Sequence, residues 1–226
     1  MTHPPTISVI IPLLNNIKSV LPLVEQLSEL NFHQIIIADG GSTDGGIEAL
    51  LTDSRVEFLN SPRGRGIQIC GGTAIATGDI FWILHADSVI TENVKQQIIT
   101  TMKNPKVSLG CFHLKFSTDH PILKLYEFFS RFDCQLTTFG DQGYFFRQRD
   151  YQKIGGCSQE PLFEDVDLRR KLKKLGIVQK SNTCITTSAE RFMSKGLIKT
   201  QLLNVVFLTA YSIGVSPKYL AKIYYS

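Results

Sequence analysis

The stretch FWILHADS, Phe81 to Ser88, places an acidic residue at the end of a strongly apolar run. Four consecutive large apolar residues are typical of a strand that is buried on both faces. A carboxylate at the end of such a strand needs water, a hydrogen-bond partner or a metal ion. Asp87 is therefore either a loop residue that forms a turn before Thr91 or part of a functional site.

Other polar residues follow predicted strands in the first part of the chain. Short β-branched runs alternate there with longer helical patterns, which predicts a βαβ sheet with largely parallel strands. Ligands of such sheets collect outside the carboxyl ends of the strands. The sequence therefore predicts that one edge of the sheet gathers the residues that follow its first four strands: Asn15, Asp39, Arg63 with Arg65, and Asp87.

The elements that position these residues can be read from hydrophobic spacing and turn residues. We predict strands at TISVIIP, QIIIAD, RVEFLN and DIFWIL. We also predict a helix with Asn15 or Asn16 as its N-cap that runs to about Leu30, and a second helix over GIQICGGTAIATG. Gly71 and Gly72 each cost the second helix about 1 kcal/mol relative to alanine, which indicates close approach to another backbone. GGSTDGG predicts a turn, with Asp44 in the first turn of the next helix.

The second half of the chain is patterned less regularly, but no linker or charge block separates it from the first half. VSLGCFHLKF and GYFFR predict strands, while ILKLYEFFSRF and the segment from Thr91 to Met102 predict helices. EDVDLRRKLKKLG predicts a helix with acidic residues at its start, basic residues at its end and Gly176 as its C-cap. We therefore predict a single domain over residues 1–226.

Composition and charge exclude several classes of protein. The 226 residues are 43% hydrophobic and 19% charged, as in ordinary globular proteins, and the net charge of +4 is too small to indicate nucleic-acid binding. No Walker A loop is present, and Ile69 stands where a dinucleotide fingerprint needs its third glycine. We expect no transmembrane span and a cytoplasmic location, because no apolar run reaches about 18 residues and no signal-peptide pattern is present. The five cysteines form no CxxC pair, which favours reduced thiols.

Four segments carry a resemblance to a known family: SVIIPLLNN, IIIADGGSTDG, AIATGDIFWILHADS and EDVDLRRKLKKLG. In this order and spacing they resemble family-2 glycosyltransferases with the GT-A fold, over residues 6 to about 192. The chain looks closest to a small, single-domain, non-processive branch in which the strand-four motif reads HAD and a GDQG segment, here Gly140 to Gly143, precedes the acidic pair.

The resemblance implies an α/β fold with a mostly parallel central sheet flanked by helices. It also implies an enzyme that moves a sugar from a nucleotide-diphosphate donor to an acceptor hydroxyl. Residues of about 6–90 would form the nucleotide-binding half, residues of about 91–192 the acceptor and catalytic half, and residues of about 193–226 a helical tail.

The resemblance further implies roles for residues at the sheet edge. Asp87 matches the last acid of the family's DXD-like motif, which holds Mn²⁺ or Mg²⁺ against the donor diphosphate, and the phosphates can supply other metal ligands. His85 replaces the first acid, so it is expected to contact phosphate or water or to orient the loop. Asp39 matches the acid that accepts hydrogen bonds from the nucleotide base, with Asn15 and the backbone at Pro12 in the same slot. A carboxylate suits the imide N–H of uracil, which makes UDP the expected carrier.

The resemblance places the chemistry on the acidic pair Glu164 and Asp165. Asp165 matches the family's base, so we expect a single displacement with inversion in which Asp165 takes the proton of the acceptor hydroxyl. The residues alone also allow a simpler interpretation, in which both acids only favour a helix N-terminus by about 0.3 to 1 kcal/mol each. Asp141 is a second candidate for the base or an acceptor contact, and Gln142 is a candidate contact to substrate or phosphate.

Two basic residues, the tail and the function class leave alternatives open. Arg65 can pair with the base edge or the diphosphate, and Arg191 with a phosphate, or either can be a solvated surface residue. The tail, 196–226, is either a helix that covers the core or an interfacial helix that meets lipid-linked acceptors at the inner face of the membrane. Two alternative functions are a sugar nucleotidyltransferase and a non-catalytic nucleotide-sugar binder. Sugar nucleotidyltransferases commonly carry a Gly-rich loop with basic residues after strand one, and the segment PLLNN supplies neither.

Overall fold

A seven-stranded sheet flanked by helices forms the centre of the computed structural model, which describes residues 3–189 and 197–225. The strands are β1 (Ile7–Leu13), β2 (Gln34–Asp39), β3 (Glu57–Asn60), β4 (Ile80–Ile83), β5 (Val107–Phe116), β6 (Phe145–Arg147) and β7 (Ile177–Thr187). The helices are α1 (Ile17–Glu29), α2 (Ile47–Leu51), α3 (Arg65–Ile75), α4 (Val94–Lys103), α5 (Pro121–Phe129), α6 (Gln148–Lys153), α7 (Glu164–Lys173), α8 (Leu197–Ser212) and α9 (Pro217–Tyr225). A 3₁₀ turn spans Gly140–Gln142.

The strand order is β3-β2-β1-β4-β6-β5-β7, and only β6 runs antiparallel to its neighbours among the described pairs. Leu13 at the end of β1 pairs with Asp39 at the end of β2, and Asp39 pairs with Asn60 at the end of β3. The carboxyl ends of these strands therefore meet at one edge, as the sequence predicts. The expected fold class, an α/β fold with a mostly parallel sheet between helices, is confirmed.

Both faces of the sheet carry apolar cores, because side chains alternate between the faces along each strand. On one face, Val9 and Ile11 of β1 pack in a cluster with α1 and α4. On the other face, Ile10 lies in a cluster with Ile69 of α3 and Leu172 of α7. The strands β1, β2 and β4 are almost wholly buried, which is the pattern that their continuous apolar runs predict.

The paired glycines of α3 let this helix lie close to the sheet. A Cβ atom added at Gly72 would lie 2.5 Å from Cγ2 of Ile10, and one added at Gly71 would lie 3.0 Å from Cδ2 of Leu59. The helix does lie close to the sheet, but the predicted close approach to another backbone is wrong, because the nearest neighbours are side chains of the strands. Real Cβ contacts this short would force the helix away from the sheet.

Two expectations from the sequence, the position of Asp44 and the reduced state of the cysteines, are wrong. Asp44 does not lie in the first turn of the following helix, since α2 begins at Ile47; instead its Oδ2 accepts a hydrogen bond from the backbone N–H of Ile17, at 2.9 Å, where α1 begins. The expectation of reduced thiols fails for Cys70 and Cys157, which form a disulfide with Cα atoms 6.0 Å apart. This bond joins α3 to the segment that precedes α7.

Two elements are absent from the sequence predictions, the short helix α6 and the eleven-residue strand β7. In β7 the more deeply buried positions include Ser181, Thr183 and Thr187, so its inward face is largely polar and shows no apolar alternation. The tail forms α8 and α9, and none of the helices that the structure describes combines the length and apolarity needed to cross a bilayer.

Candidate active site

A cavity of about 490 Å³ lies where the end of β4, the turn Gly140–Gln142 and the start of α7 meet, and α5 and α8 form its opposite wall. Its polar lining includes six of the residues that the sequence singles out: Arg65, His85, Asp87, Asp141, Gln142 and Asp165. Glu164 lines a narrow second pocket together with Arg65, His85 and Asp165. The structure thus brings together acids that are up to 78 positions apart in the chain, from Asp87 to Asp165.

The loop after β4 presents Asp87 to this cavity. Val89, two residues later, exchanges backbone hydrogen bonds with Thr186 of β7, at 2.8 and 3.0 Å. The hydroxyl of Thr187 lies 3.4 Å from Oδ2 of Asp87 and can donate to it. The end of β7 therefore fixes the loop that carries the carboxylate, although β7 itself gives little signal in the sequence.

Glu164 and Asp165 begin α7 and meet Arg65, the first residue of α3. The side chain of Glu164 is only 3% exposed, and Nε of Arg65 donates a hydrogen bond to its Oε1. A terminal nitrogen of Arg65 lies 4.0 Å from Oδ1 of Asp165. Burial raises the pKa of Glu164, while the charge of Arg65 opposes that rise. Arg65 thus ties the two helices together through the acidic pair.

Asp165 is held by two backbone N–H groups. Gly140 donates to its Oδ2 and Val166 to its Oδ1, each at 2.8 Å. A Cβ atom at Gly140 would lie 3.1 Å from Cβ of Asp165, so a larger residue would push the turn away from α7. These contacts fix the orientation of the carboxylate while each oxygen keeps a further lone pair for a ligand.

Asp141 lies beside Asp165 in the same cavity wall. Burial, aided by the negative charge of Asp165, raises the pKa of Asp141 to about 6, and Arg65 and Lys180 oppose this rise. Its Oδ1 is buried and has no hydrogen-bond partner among the described residues. A buried acceptor without a partner is costly, so a donor group that gains access to it would be stabilised.

Lys180 of β7 contacts the cavity wall through Gln142, and the sequence patterns do not single it out. Its Nζ donates to Oε1 of Gln142, and the side chain amide of Gln142 donates to the backbone oxygen of Thr137 at 2.6 Å. Burial lowers the pKa of Lys180, and the neighbouring acids oppose this shift. The sequence signal for this contact is a single lysine, and a single lysine indicates a contact with Gln142 only when the strand β7 that positions it is known.

The predicted base-binding residues lie at the same sheet edge but outside the lining of the 490 Å³ cavity. Asp39 is 3% exposed and accepts hydrogen bonds from N–H of Gly41 at 2.9 Å and from N–H and Oγ of Ser42 at 3.0 and 2.5 Å. Asn15 accepts a bond from N–H of Thr43 at 2.7 Å, and Pro12 lies within β1. Asp39 and Asn15 therefore build the loops after β1 and β2. Arg191, the remaining candidate contact, lies outside the described residues.

Asp87 is the carboxylate at the end of β4 that could contribute a ligand to a metal ion. Within residues 3–189 and 197–225, no group of three or more His, Cys, Asp or Glu side chains is arranged to hold a metal by itself. Mg²⁺ and similar ions are often bound by one or two carboxylates together with substrate phosphates and water. Asp87 in the cavity wall can supply such a carboxylate.

Removing the charge of Arg65 is expected to destabilise the fold in a pH-dependent way. Arg65→Met leaves the buried Glu164 carboxylate without its cation, so we expect the free energy of unfolding at pH 7 to fall by about 1 to 3 kcal/mol. This loss is smaller than for a fully buried ion pair, because Arg65 is 41% exposed. The pKa of Glu164 would rise further in the variant. The penalty is therefore present above that pKa and disappears as the pH falls and Glu164 takes up a proton.

Urea unfolding at pH 7 and pH 4.5 measures this effect. The control is Arg55→Met, which breaks an exposed pair with Asp53 and should cost less than about 1 kcal/mol. An Arg65→Met penalty that is the same at both pH values would show that the lost stability does not come from an unpaired Glu164 charge.

Comparison with known proteins agrees with this architecture. The sequence model of the family described as glycosyl transferase family 2 matches residues 8–160. No sequence among the curated proteins matches the chain.

Several solved structures share the fold. Glucosyl-3-phosphoglycerate synthase from Mycobacterium tuberculosis, in complex with Mn²⁺, UDP and glucosyl-3-phosphoglycerate, superposes with a TM-score of 0.66 at 17% identity, over 93% of this chain and 81% of that one. The mannosyltransferase PcManGT from Pyrobaculum calidifontis, in complex with GDP-Man and Mn²⁺, gives a TM-score of 0.72 at 15% identity, over 94% of this chain and 65% of that one. TarS 1-349 from S. aureus gives 0.67 at 14% identity, over 93% and 66%.

Proposed function

Because the chain belongs to glycosyl transferase family 2, we propose that it transfers a sugar from a nucleoside-diphosphate donor to a hydroxyl group of an acceptor bound in the 490 Å³ cavity. The observation that carries this proposal is the meeting of Asp87, Asp141 and Asp165 in one cavity wall. One of these acids can serve a metal ion and two can serve a proton transfer. Two structures of the same fold were solved with Mn²⁺, one with bound UDP and the other with bound GDP-Man, and they support a nucleoside-diphosphate donor.

The donor would lie across the carboxyl ends of β1, β2 and β4. We assign the base to the loop that Asp39 and Asn15 build, and the diphosphate to the region of His85 and Asp87. Mn²⁺ or Mg²⁺ held by Asp87 would neutralise the charge that develops on the leaving diphosphate. A carboxylate only accepts hydrogen bonds, and Asp39 already accepts three within its turn. We assign its remaining lone pair to a base with a ring N–H such as uracil, and UDP is our first candidate.

The transfer step is a displacement at the anomeric carbon. The acceptor oxygen forms a bond to this carbon as the bond to the diphosphate oxygen breaks, and the proton of the acceptor hydroxyl passes to Asp165. The N–H groups of Gly140 and Val166 hold that carboxylate in place. Attack from the face opposite the leaving group inverts the configuration of the sugar. Asp141, with its unpartnered oxygen, is assigned to contact the acceptor hydroxyl.

Incubation with a panel of nucleotide sugars and Mn²⁺ tests the proposal. A transferase releases the nucleoside diphosphate, and we expect UDP-sugars to give the strongest release, with GDP-sugars as the second choice. Production or consumption of pyrophosphate would instead identify a sugar nucleotidyltransferase. Binding of a nucleotide sugar without any turnover, in the presence of a broad set of hydroxyl acceptors, would identify a non-catalytic binder and overturn the proposal.

The proposed role of Asp39 can be separated from its role in the turn. Asp39→Asn keeps the size of the side chain but weakens its acceptor capacity, so we expect UDP binding to lose about 1.5 to 3 kcal/mol, the usual worth of a hydrogen bond to a charged group. The control, Ser42→Ala, removes only the hydroxyl bond at 2.5 Å within the turn. Calorimetry with UDP measures both variants, and thermal unfolding checks their folds. Equal losses in both would return Asp39 to a structural role.

A further inference from the structure

We propose that the acceptor is a neutral lipid alcohol, whose hydrocarbon part occupies the apolar half of the 490 Å³ cavity while its hydroxyl reaches Asp165 and Asp141. This inference rests on the proposed function and names the acceptor class for the same site. It depends on three features of the described residues: the apolar lining, the charge at the reacting end and the exposed face of α8.

What we call the apolar half is the set of large apolar side chains in the cavity lining: Leu114, Phe116, Phe129, Leu136, Phe207 and Leu208. Two of them remain well exposed, Phe129 at 45% and Leu136 at 58%. Apolar surface left in contact with water beside an active site favours a ligand that covers it with its own apolar surface. A hydrocarbon chain meets that requirement.

Two hydroxyl groups of the cavity lining, those of Ser130 and Thr137, already have partners. Oγ of Ser130 donates to the backbone oxygen of Glu127 at 2.7 Å and accepts from N–H of Leu114 at 3.0 Å. Oγ1 of Thr137 donates to the backbone oxygen of Phe132 at 2.6 Å. A sugar hydroxyl that faces the apolar side chains of the lining would have no partner there, at a cost of about 1 to 3 kcal/mol. These contacts favour an acceptor with a single polar end.

The charge at the reacting end favours a neutral head group over a phosphate. Asp87, Asp141 and Asp165 line the cavity together with Arg65, which pairs with the buried Glu164. These four acids and the donor diphosphate carry more negative charge than Arg65 and a divalent ion on Asp87 neutralise, so a further phosphate on the acceptor would be repelled. A hydroxyl can instead donate to one of the carboxylates that line the cavity.

The helix α8 links the cavity to an exposed apolar surface. Asn204, Phe207 and Leu208 face the cavity, one helical turn apart. Other faces of the same helix expose Leu202 at 63% and Val206 at 61%. A helix that is apolar on several sides and not buried is suited to a lipid surface. The acceptor would then pass from a lipid layer along α8 into the cavity.

Binding of decan-1-ol to the full chain without any donor tests the inference. We expect the wild type to bind decan-1-ol at least about 10-fold more tightly than decyl phosphate, and to show no response to glycerol at the same concentrations. Leu136→Asn, in the cavity wall, should weaken decan-1-ol binding by about 5- to 10-fold because it removes apolar contact surface. Leu125→Asn is the matched control, since Leu125 is exposed to nearly the same extent, 56% against 58%, but lies outside the cavity.

Both leucines are exposed, so both variants are expected to keep the wild-type melting temperature. Equal affinities of the two variants for decan-1-ol, or tighter binding of decyl phosphate than of decan-1-ol, would overturn the inference. UDP binding with Mn²⁺, measured on the same samples, separates the two proposals. If the wild type binds UDP with Mn²⁺ but not decan-1-ol, the acceptor class is refuted and the transferase proposal stands. If the wild type binds decan-1-ol but neither binds nucleotides nor turns over nucleotide sugars, the lipid-alcohol cavity is supported and the transferase proposal is refuted.

Discussion

The Asp165→Asn variant is expected to transfer sugar about 10²- to 10⁴-fold more slowly than the wild type, while its affinity for the nucleotide sugar stays within a few-fold. Asparagine keeps the size of the side chain but cannot accept the proton of the acceptor hydroxyl, and general-base catalysis contributes about this much to rates. One amide nitrogen would also replace an oxygen that accepts from Gly140 or Val166. Single-turnover kinetics together with calorimetry separate the loss of transfer from a loss of binding.

A neighbouring acid on the same helix provides the matched control. Asp167 also lies in the first turn of α7, but it pairs with Arg170 at 2.8 Å and Lys171 at 2.9 Å and is not among the lining residues of the cavity. Asp167→Asn should therefore leave the transfer rate within about threefold of the wild type, as expected for a change that touches no reacting atom. A comparable loss in both variants would mean that α7 is damaged and would remove the evidence for a base.

Asp141 is the second candidate for the catalytic base, and the pH dependence of the transfer rate distinguishes it from Asp165. Because its pKa is about 6, an essential Asp141 base would be protonated below pH 6 and charged above it, so transfer would rise as the pH increases through that value. The rise near pH 6 would then vanish in Asp141→Asn. Near-wild-type transfer by Asp165→Asn, combined with loss of transfer in Asp141→Asn, would show that the base is misassigned.

The strands that carry the candidate site were predictable because burial on both faces leaves continuous apolar runs in β1, β2 and β4. The same reasoning fails for β7, where Ser181, Thr183 and Thr187 occupy buried positions. An edge strand of this kind gains its stability from main-chain pairing with β5 and not from apolar alternation. Lys180 and Thr187 were missed together with the strand that positions them.

The contacts within the site were less predictable than its location. Topology alone places Arg65 and Asp87 at one sheet edge, since parallel strands end there. The pairing of Arg65 with Glu164, however, joins residues 99 positions apart and depends on how α3 packs against α7. Gly66 allows that packing, because a Cβ atom there would lie 2.5 Å from the backbone oxygen of Ser158. No local pattern encodes such a contact.

Metal dependence is the second test with a large expected effect. In the wild type, Mn²⁺ or Mg²⁺ should tighten UDP binding, and Asp87→Ala should remove this enhancement while it leaves the metal-free affinity unchanged. Loss of groups that only support a metal ligand costs about 10- to 100-fold in metal affinity, so loss of the ligand itself should cost at least about 100-fold. Calorimetric titration of UDP with Mn²⁺, and with chelator in its place, measures both affinities.

The long contact between Thr187 and Asp87 provides a graded control for this experiment. Thr187→Val keeps the shape of the side chain but removes the hydroxyl that lies 3.4 Å from Oδ2 of Asp87. At this distance the hydrogen bond is weak, so we expect the Mn²⁺ enhancement to fall by no more than about 10-fold. Equal UDP affinities with and without metal in the wild type would remove the metal ion from the proposed reaction. An enhancement that survives in Asp87→Ala would instead assign the metal to ligands other than the carboxylate at the end of β4.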